Sequence, residues 1–168
     1  MKYFDAHTHV QFVAYNDDRR ETILRAKEAG VGMNVVGTQI DTSRAAVALA
    51  QRYEGVWATI GLHPIHTSKS YHDARELGEG NKEFTSRGEV FDMAAYEALG
   101  RDPKVIAVGE CGLDYFRLEE NTKDVQRDAF IQQIELANKL QKPLMLHIRP
   151  ALQSLGVGGN AYSDALEI

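Results

Sequence analysis

Two apolar runs constrain this chain most. VIAV at 105–108 and LML at 144–146 carry no polar residue, whereas a strand with one wet face would alternate. Uninterrupted apolar runs of this length belong to parallel strands covered on both faces. Parallel neighbours need crossover connections, usually helices, and the sequence supplies them. Strands are expected at Lys2–Asp5, Val31–Val36, Val56–Ile60, Val105–Val108 and Pro143–Ile148. Helices are expected at Arg19–Ala29, stopped by Gly30, and through SRAAVALAQRY after a cap at Asp41 or Thr42. Two more follow at Phe91–Leu99 and over 121–140, where Phe130, Ile134 and Ala137 share one face. Five strands alternating with helices make an α/β protein.

Composition narrows the function classes. At 168 residues, 43% hydrophobic and 26% charged, the chain reads as one folded domain spanning 1–168. A net charge of −5 excludes the broad basic face of a purely electrostatic nucleic-acid binder. It leaves room for a nuclease whose bound cations supply the positive charge. Cys111 is the single cysteine, so no intrachain disulfide forms, which fits a reducing compartment, and it is expected to pack as a small hydrophobe. The start MKYFDAHTHV lacks a basic segment followed by a long apolar one, and no stretch approaches the roughly 18 apolar residues of a membrane span. The expectation is a cytoplasmic protein with no membrane partner.

The segment Ser68–Glu89 is polar and longer than an ordinary connection. His66 and His72, beside and within it, are expected at the surface, as are the charges Arg117, Glu119 and Glu120. The last residues, NAYSDALEI, read as a capped helix just beginning. A pattern halting there is expected of a piece of something larger.

The chemistry-bearing residues share one location. His7 and His9 follow the first strand, His63 the third and Glu110 the fourth, while His147 ends the fifth. In parallel sheets and barrels, ligands bind at the C-terminal ends of the strands. Residues i and i+2 of a strand point the same way, so His7 and His9 can face one ion together. Imidazole suits Zn or Mn and carboxylate suits Mg or Mn. A mixed set is typical of hydrolytic centres that acidify a bound water. Singly, each residue also fits a structural role: a polar strand end, a turn before Pro64, a salt-bridge partner or a core histidine.

FDAHTH, GLHP, VIAVGECGLDYF and KPLMLHIR, in this order and at strand ends, resemble the TatD family of metal-dependent deoxyribonucleases in the amidohydrolase superfamily. VGECGLDY is the most specific of them. The resemblance implies a TIM (β/α)8 barrel, of which about five of the eight βα units are present in this sequence. It implies two divalent ions (Zn, Mg or Mn) and DNA as substrate, cleaved by a metal-activated water. By position, His7 and His9 would hold one ion, Glu110 would bridge, and His147 would bind the second. His63 would contact substrate phosphate beside Glu110 in the catalytic set, and Asp114 and Arg149 would line the substrate pocket. The chain departs from the family at Pro150, where an acidic residue is usual, and in the connection ALQSLGVGG. The family's later histidine and aspartate have no counterpart in this sequence. An open barrel is expected to expose two sheet edges and to self-associate, or to act as an inactive domain that binds metal or a partner. An amide-cleaving amidohydrolase is a further alternative, disfavoured because Lys142 precedes its strand and no lysine stands at a strand end.

Overall fold

The structure is a computed structural model that describes residues 1–69, 71–72, 84–116, 122–151 and 160–168. The His72 side chain, Arg117, Glu119, Glu120 and residues 152–159 of the ALQSLGVGG connection lie outside the described residues.

Five parallel strands form one sheet in sequential order: β1 (Tyr3–Thr8), β2 (Val31–Val36), β3 (Val56–Ile60), β6 (Val105–Asp114) and β7 (Leu144–Arg149). A short antiparallel pair, β4 (Tyr71–His72) with β5 (Phe84–Thr85), stands apart within the polar excursion. The crossovers are α1 (Arg19–Glu28), α2 (Ile40–Arg52), α3 (Met93–Gly100) and α4 (Thr122–Leu140), and α5 (Ala161–Leu166) follows β7. Gly30 ends α1 at φ +77°, a backbone state that costs glycine little. The start of α2 differs from expectation. Gln39 occupies the cap position, and the Thr42 hydroxyl accepts the Gln39 N–H at 2.9 Å from inside the first turn. Thr42 thus serves the helix N-terminus as the third helical residue rather than as its cap.

The main core lies between sheet and helices. Val35, Ile60 and Val108 pack there against Ala46, Val47, Tyr96 and Leu136. A second cluster gathers Cys111, Leu113, Tyr115, Phe130 and Ala161 at the far end of β6. Burial pushes the Cys111 thiol up to about 12, so it packs as an unreactive apolar group. The outer strands carry apolar side chains into the open: Tyr3 is 69% exposed on β1 and Leu146 54% on β7.

β6 extends six residues beyond the apolar run that announced it. Gly109 and Gly112 permit this. Both adopt positive φ, +147° and +138°, and a Cβ on either would collide with the Met145 or His147 carbonyl oxygen of β7. The VGECG motif is therefore a close-approach motif, which brings Glu110 and His147 onto adjacent strands at hydrogen-bonding range.

At the opposite end of the sheet, the Lys142 ammonium donates to the carbonyls of Gly100, Asp102 and Val105. This gathers the end of α3 and the entry to β6. Lys142→Met is expected to lower stability by about 2 kcal/mol, since several carbonyls lose a charged donor. A urea midpoint unchanged from wild type would refute that role.

Candidate metal centre

The side chains converge at the C-terminal ends of the strands. His7 sits in β1 and His9 just beyond it, with their Nε2 atoms 3.2 Å apart. Two nitrogens bound to one zinc at 2.0–2.1 Å and a tetrahedral angle stand roughly 3.3 Å apart, so this spacing suits a shared ion. His9 Nδ1 donates to the Val36 carbonyl at 2.9 Å, and Phe12 stacks on its ring at 4.6 Å. Burial holds the His9 pKa below its ordinary value, so the ring is neutral. With its proton on Nδ1, the Nε2 lone pair is left facing His7.

Glu110 lies between the histidines, its side chain 12% exposed. Oε2 is 3.2 Å from His7 Nε2, and Oε1 is 3.2 Å from His147 Nδ1 and 3.8 Å from His63 Nε2. One carboxylate therefore serves two groups, His7–His9–Glu110 and His63–Glu110–His147. Burial pushes the Glu110 pKa up, but hydrogen bonds from His147 and His7 outweigh it and hold the carboxyl well below its usual range. The bond to Glu110 raises His7 in turn.

His147 is held from both sides. Its Nε2 lies 2.8 Å from Asp114 Oδ2, and the other Asp114 oxygen accepts the Phe116 N–H at 2.9 Å. Burial lowers the His147 pKa, yet the Asp114 and Glu110 carboxylates overcome this and lift it to about 9. Asp114 is 4% exposed, and its main chain exchanges two hydrogen bonds with the Gln126 side chain at the start of α4.

His63 is different. It is buried, and burial drives its pKa down to about 3, so the ring is neutral. Its Nδ1 accepts the Ile65 N–H at 3.2 Å, which leaves the ring proton on Nε2, toward Glu110. Arg149 stands opposite Asp114 in the β6–β7 register, its guanidinium 3.6 Å over the Phe116 ring. All seven sequence-predicted site residues thus lie on one rim, with Arg149 at its margin.

One expectation fails. His66 is 8% exposed rather than a surface residue, and its Nδ1 meets Ser86 Oγ at 3.2 Å. The strand β3 runs into a single 3-10 turn at Pro64–His66, which folds the ring inward before the polar excursion begins. Sequence reasoning also passed over Asn34, Gln11 and Phe12. Asn34 had a signal: it is the only polar side chain in VGMNVV.

The TatD related DNase family matches residues 4–165. The chain belongs to the TatD family. The 3'-5' ssDNA/RNA exonuclease TatD of Cronobacter sakazakii is 36% identical over 149 residues, which cover 88% of this chain and 49% of that protein. Its counterpart from Salmonella typhimurium is 34% identical over 164 residues, 97% of this chain and 56% of the relative. The crystal structure of YJJV, a TatD homolog from Escherichia coli, superposes with a TM-score of 0.65 at 26% identity, over 90% of this chain and 51% of that one. The chain thus spans about half the length of the TatD relatives it matches. Its five parallel strands and their helices are one portion of the family's TIM-type barrel.

Proposed function

We propose that the chain carries the divalent-metal site of a phosphodiesterase that shortens single-stranded DNA, and RNA by the same chemistry. The observation that carries this reading is the Glu110 carboxylate, whose two oxygens divide between two histidine groups. The donor chemistry fits divalent ions: imidazole nitrogens, one low-pKa carboxylate, and buried partners that fix the ring orientations. His7, His9 and Glu110 would hold one ion, and Glu110 and His147 a second, taken from zinc, manganese or magnesium. When bound, such ions acidify a water and polarise a phosphoryl oxygen.

The protein's own groups do the rest. His63, kept neutral at physiological pH by burial, would turn its Nε2–H to a non-bridging phosphate oxygen. Asp114 accepts the His147 Nε2 proton and so keeps Nδ1 aimed at Glu110. Arg149, stacked on Phe116, offers a charged donor at the margin where a phosphate backbone would pass. The amide-hydrolase alternative weakens further. Lys142 holds carbonyls at the other end of the sheet and is remote from the histidines.

The test is direct. Purified chain loaded with manganese or zinc is incubated with a 5'-labelled single-stranded oligonucleotide. Stepwise shortening from the 3' end that EDTA stops is the expected result. A chain that binds metal stoichiometrically yet leaves the oligonucleotide intact would show binding without turnover, the non-catalytic reading.

A further inference from the structure

We infer that Asn34 is a positioning residue for the His7–His9 pair, acting through the Ala6 carbonyl at an irregularity in β1. The inference rests on the reading of His7 and His9 as metal ligands.

The pairing of β1 with β2 slips by one residue across Ala6 and His7. Asp5 lies opposite Met33 but Thr8 opposite Val35, so three steps on β1 match two on β2. An extra residue of this kind bends a strand and re-aims its side chains. Ala6 and His7 occupy the slipped stretch. The Asn34 side chain reaches across to it: Nδ2 donates to the Ala6 carbonyl at 3.1 Å and to Thr59 Oγ1 at 2.8 Å. The Thr59 hydroxyl returns a bond to Asn34 Oδ1 at 3.1 Å. A carbonyl can only accept, so Ala6 decides which end of the amide faces β1, and Thr59 satisfies what remains.

Asn34 is 2% exposed and Thr59 is fully buried. Water does not reach the Asn34 amide or the Thr59 hydroxyl cheaply, so the amide stays paired with Thr59 and with the Ala6 carbonyl at the edge of the sheet. Two residues further on, the Val36 carbonyl accepts from His9 Nδ1 at 2.9 Å and from Gln11 Nε2 at 2.6 Å. β2 therefore grips the histidine segment at two points that flank His7. Asn34 touches neither imidazole. Its effect on them runs through the path of the β1 main chain, which sets the 3.2 Å spacing of the two Nε2 atoms.

The experiment titrates the chain with cobalt(II), whose visible spectrum reports ligand geometry, and takes affinity from chelator competition. Asn34→Leu has similar volume and no donor. It is expected to weaken the His7-dependent site about tenfold and to shift its absorption bands. Val47→Ala, in the core between sheet and helices, supplies a destabilised control that takes no part in the Ala6, Asn34 and Thr59 bonds; it is expected to keep wild-type affinity and spectrum. Wild-type values in Asn34→Leu overturn the inference, as does equal weakening in Val47→Ala. If Asn34→Leu does not fold, Asn34→Ala removes the donor to the Ala6 carbonyl without adding an apolar branch and carries the same test: a weaker site with altered bands supports the inference, and wild-type values overturn it. A His7→Ala, His9→Ala double variant that binds cobalt like the wild type would instead overturn the ligand reading itself.

Discussion

Glu110→Gln is expected to cost metal affinity at least about 100-fold, since loss of an outer hydrogen-bond partner alone costs 10- to 100-fold at such sites. Both ends of the carboxylate are in use, one toward His7 and one toward His147. Glutamine keeps the shape but turns one oxygen into an N–H donor. Whichever way the amide turns, a donor faces an imidazole nitrogen that now donates to the carboxylate. The negative charge that would offset bound cations is lost as well. Nucleotide release from a single-stranded oligonucleotide should fall by about 10³, the scale of deleting one charge-stabilising group from an active site. Glu89→Gln is the matched control, because its side chain is also 12% exposed. Glu89 accepts the Ile40 N–H at the start of α2 and the Tyr96 hydroxyl, at 3.1 and 2.8 Å. Its loss of charge should lower stability by about 1 kcal/mol through the helix terminus while metal content stays intact. Elemental analysis of both variants decides the matter: full metal content in Glu110→Gln would sink the bridging role.

The contrast between these glutamates shows what the sequence could and could not convey. Glu110 was legible because it follows an apolar run into a strand end, where parallel sheets concentrate their chemistry. The strand order and the crossovers were legible for the same reason: period and length report which face is buried. His7, His9, His63 and His147 were found by position along strands, and Asp114 only through the TatD resemblance. The bonds that orient them were not, because they depend on contacts between distant segments, such as His9 with the Val36 carbonyl. The length of β6 was hidden too. Gly109 and Gly112 look like strand breakers, yet here they let two backbones approach and carry the strand on to Asp114. His66 was misplaced because one turn of helix, set by Pro64, reverses the direction a polar stretch implies.

Metal binding is expected to strengthen about 100-fold between about pH 6 and about pH 8, most of it at the Glu110–His147 pair. The sign follows from His147. Two carboxylates lift its pKa in the metal-free chain to about 9, so at neutral pH the ring carries two protons. An ion entering there must displace the one on Nδ1, and apparent affinity gains about tenfold per pH unit until about pH 9, where the gain stops. His63, driven by burial down to about 3, releases nothing over this range, and burial of His9 lowers its pKa and cuts its contribution. Calorimetry of zinc binding near neutral pH, in buffers of different ionisation heat, should therefore count about one proton from His147, with a further contribution from His7, whose pKa is also raised by its bond to Glu110. Affinity that is flat across this range would exclude His147 from the ligand set. Asp114→Asn probes the same link from the other side. Asp114 Oδ1 is committed to the Phe116 N–H, so the new amide nitrogen would face His147 Nε2. That nitrogen must then accept, and the ring proton moves to Nδ1, the atom that would bind metal. Zinc affinity at this pair should fall 10- to 100-fold even though no ligand has been removed. A wild-type isotherm for Asp114→Asn would mean that the tautomer of His147 is set by something other than Asp114.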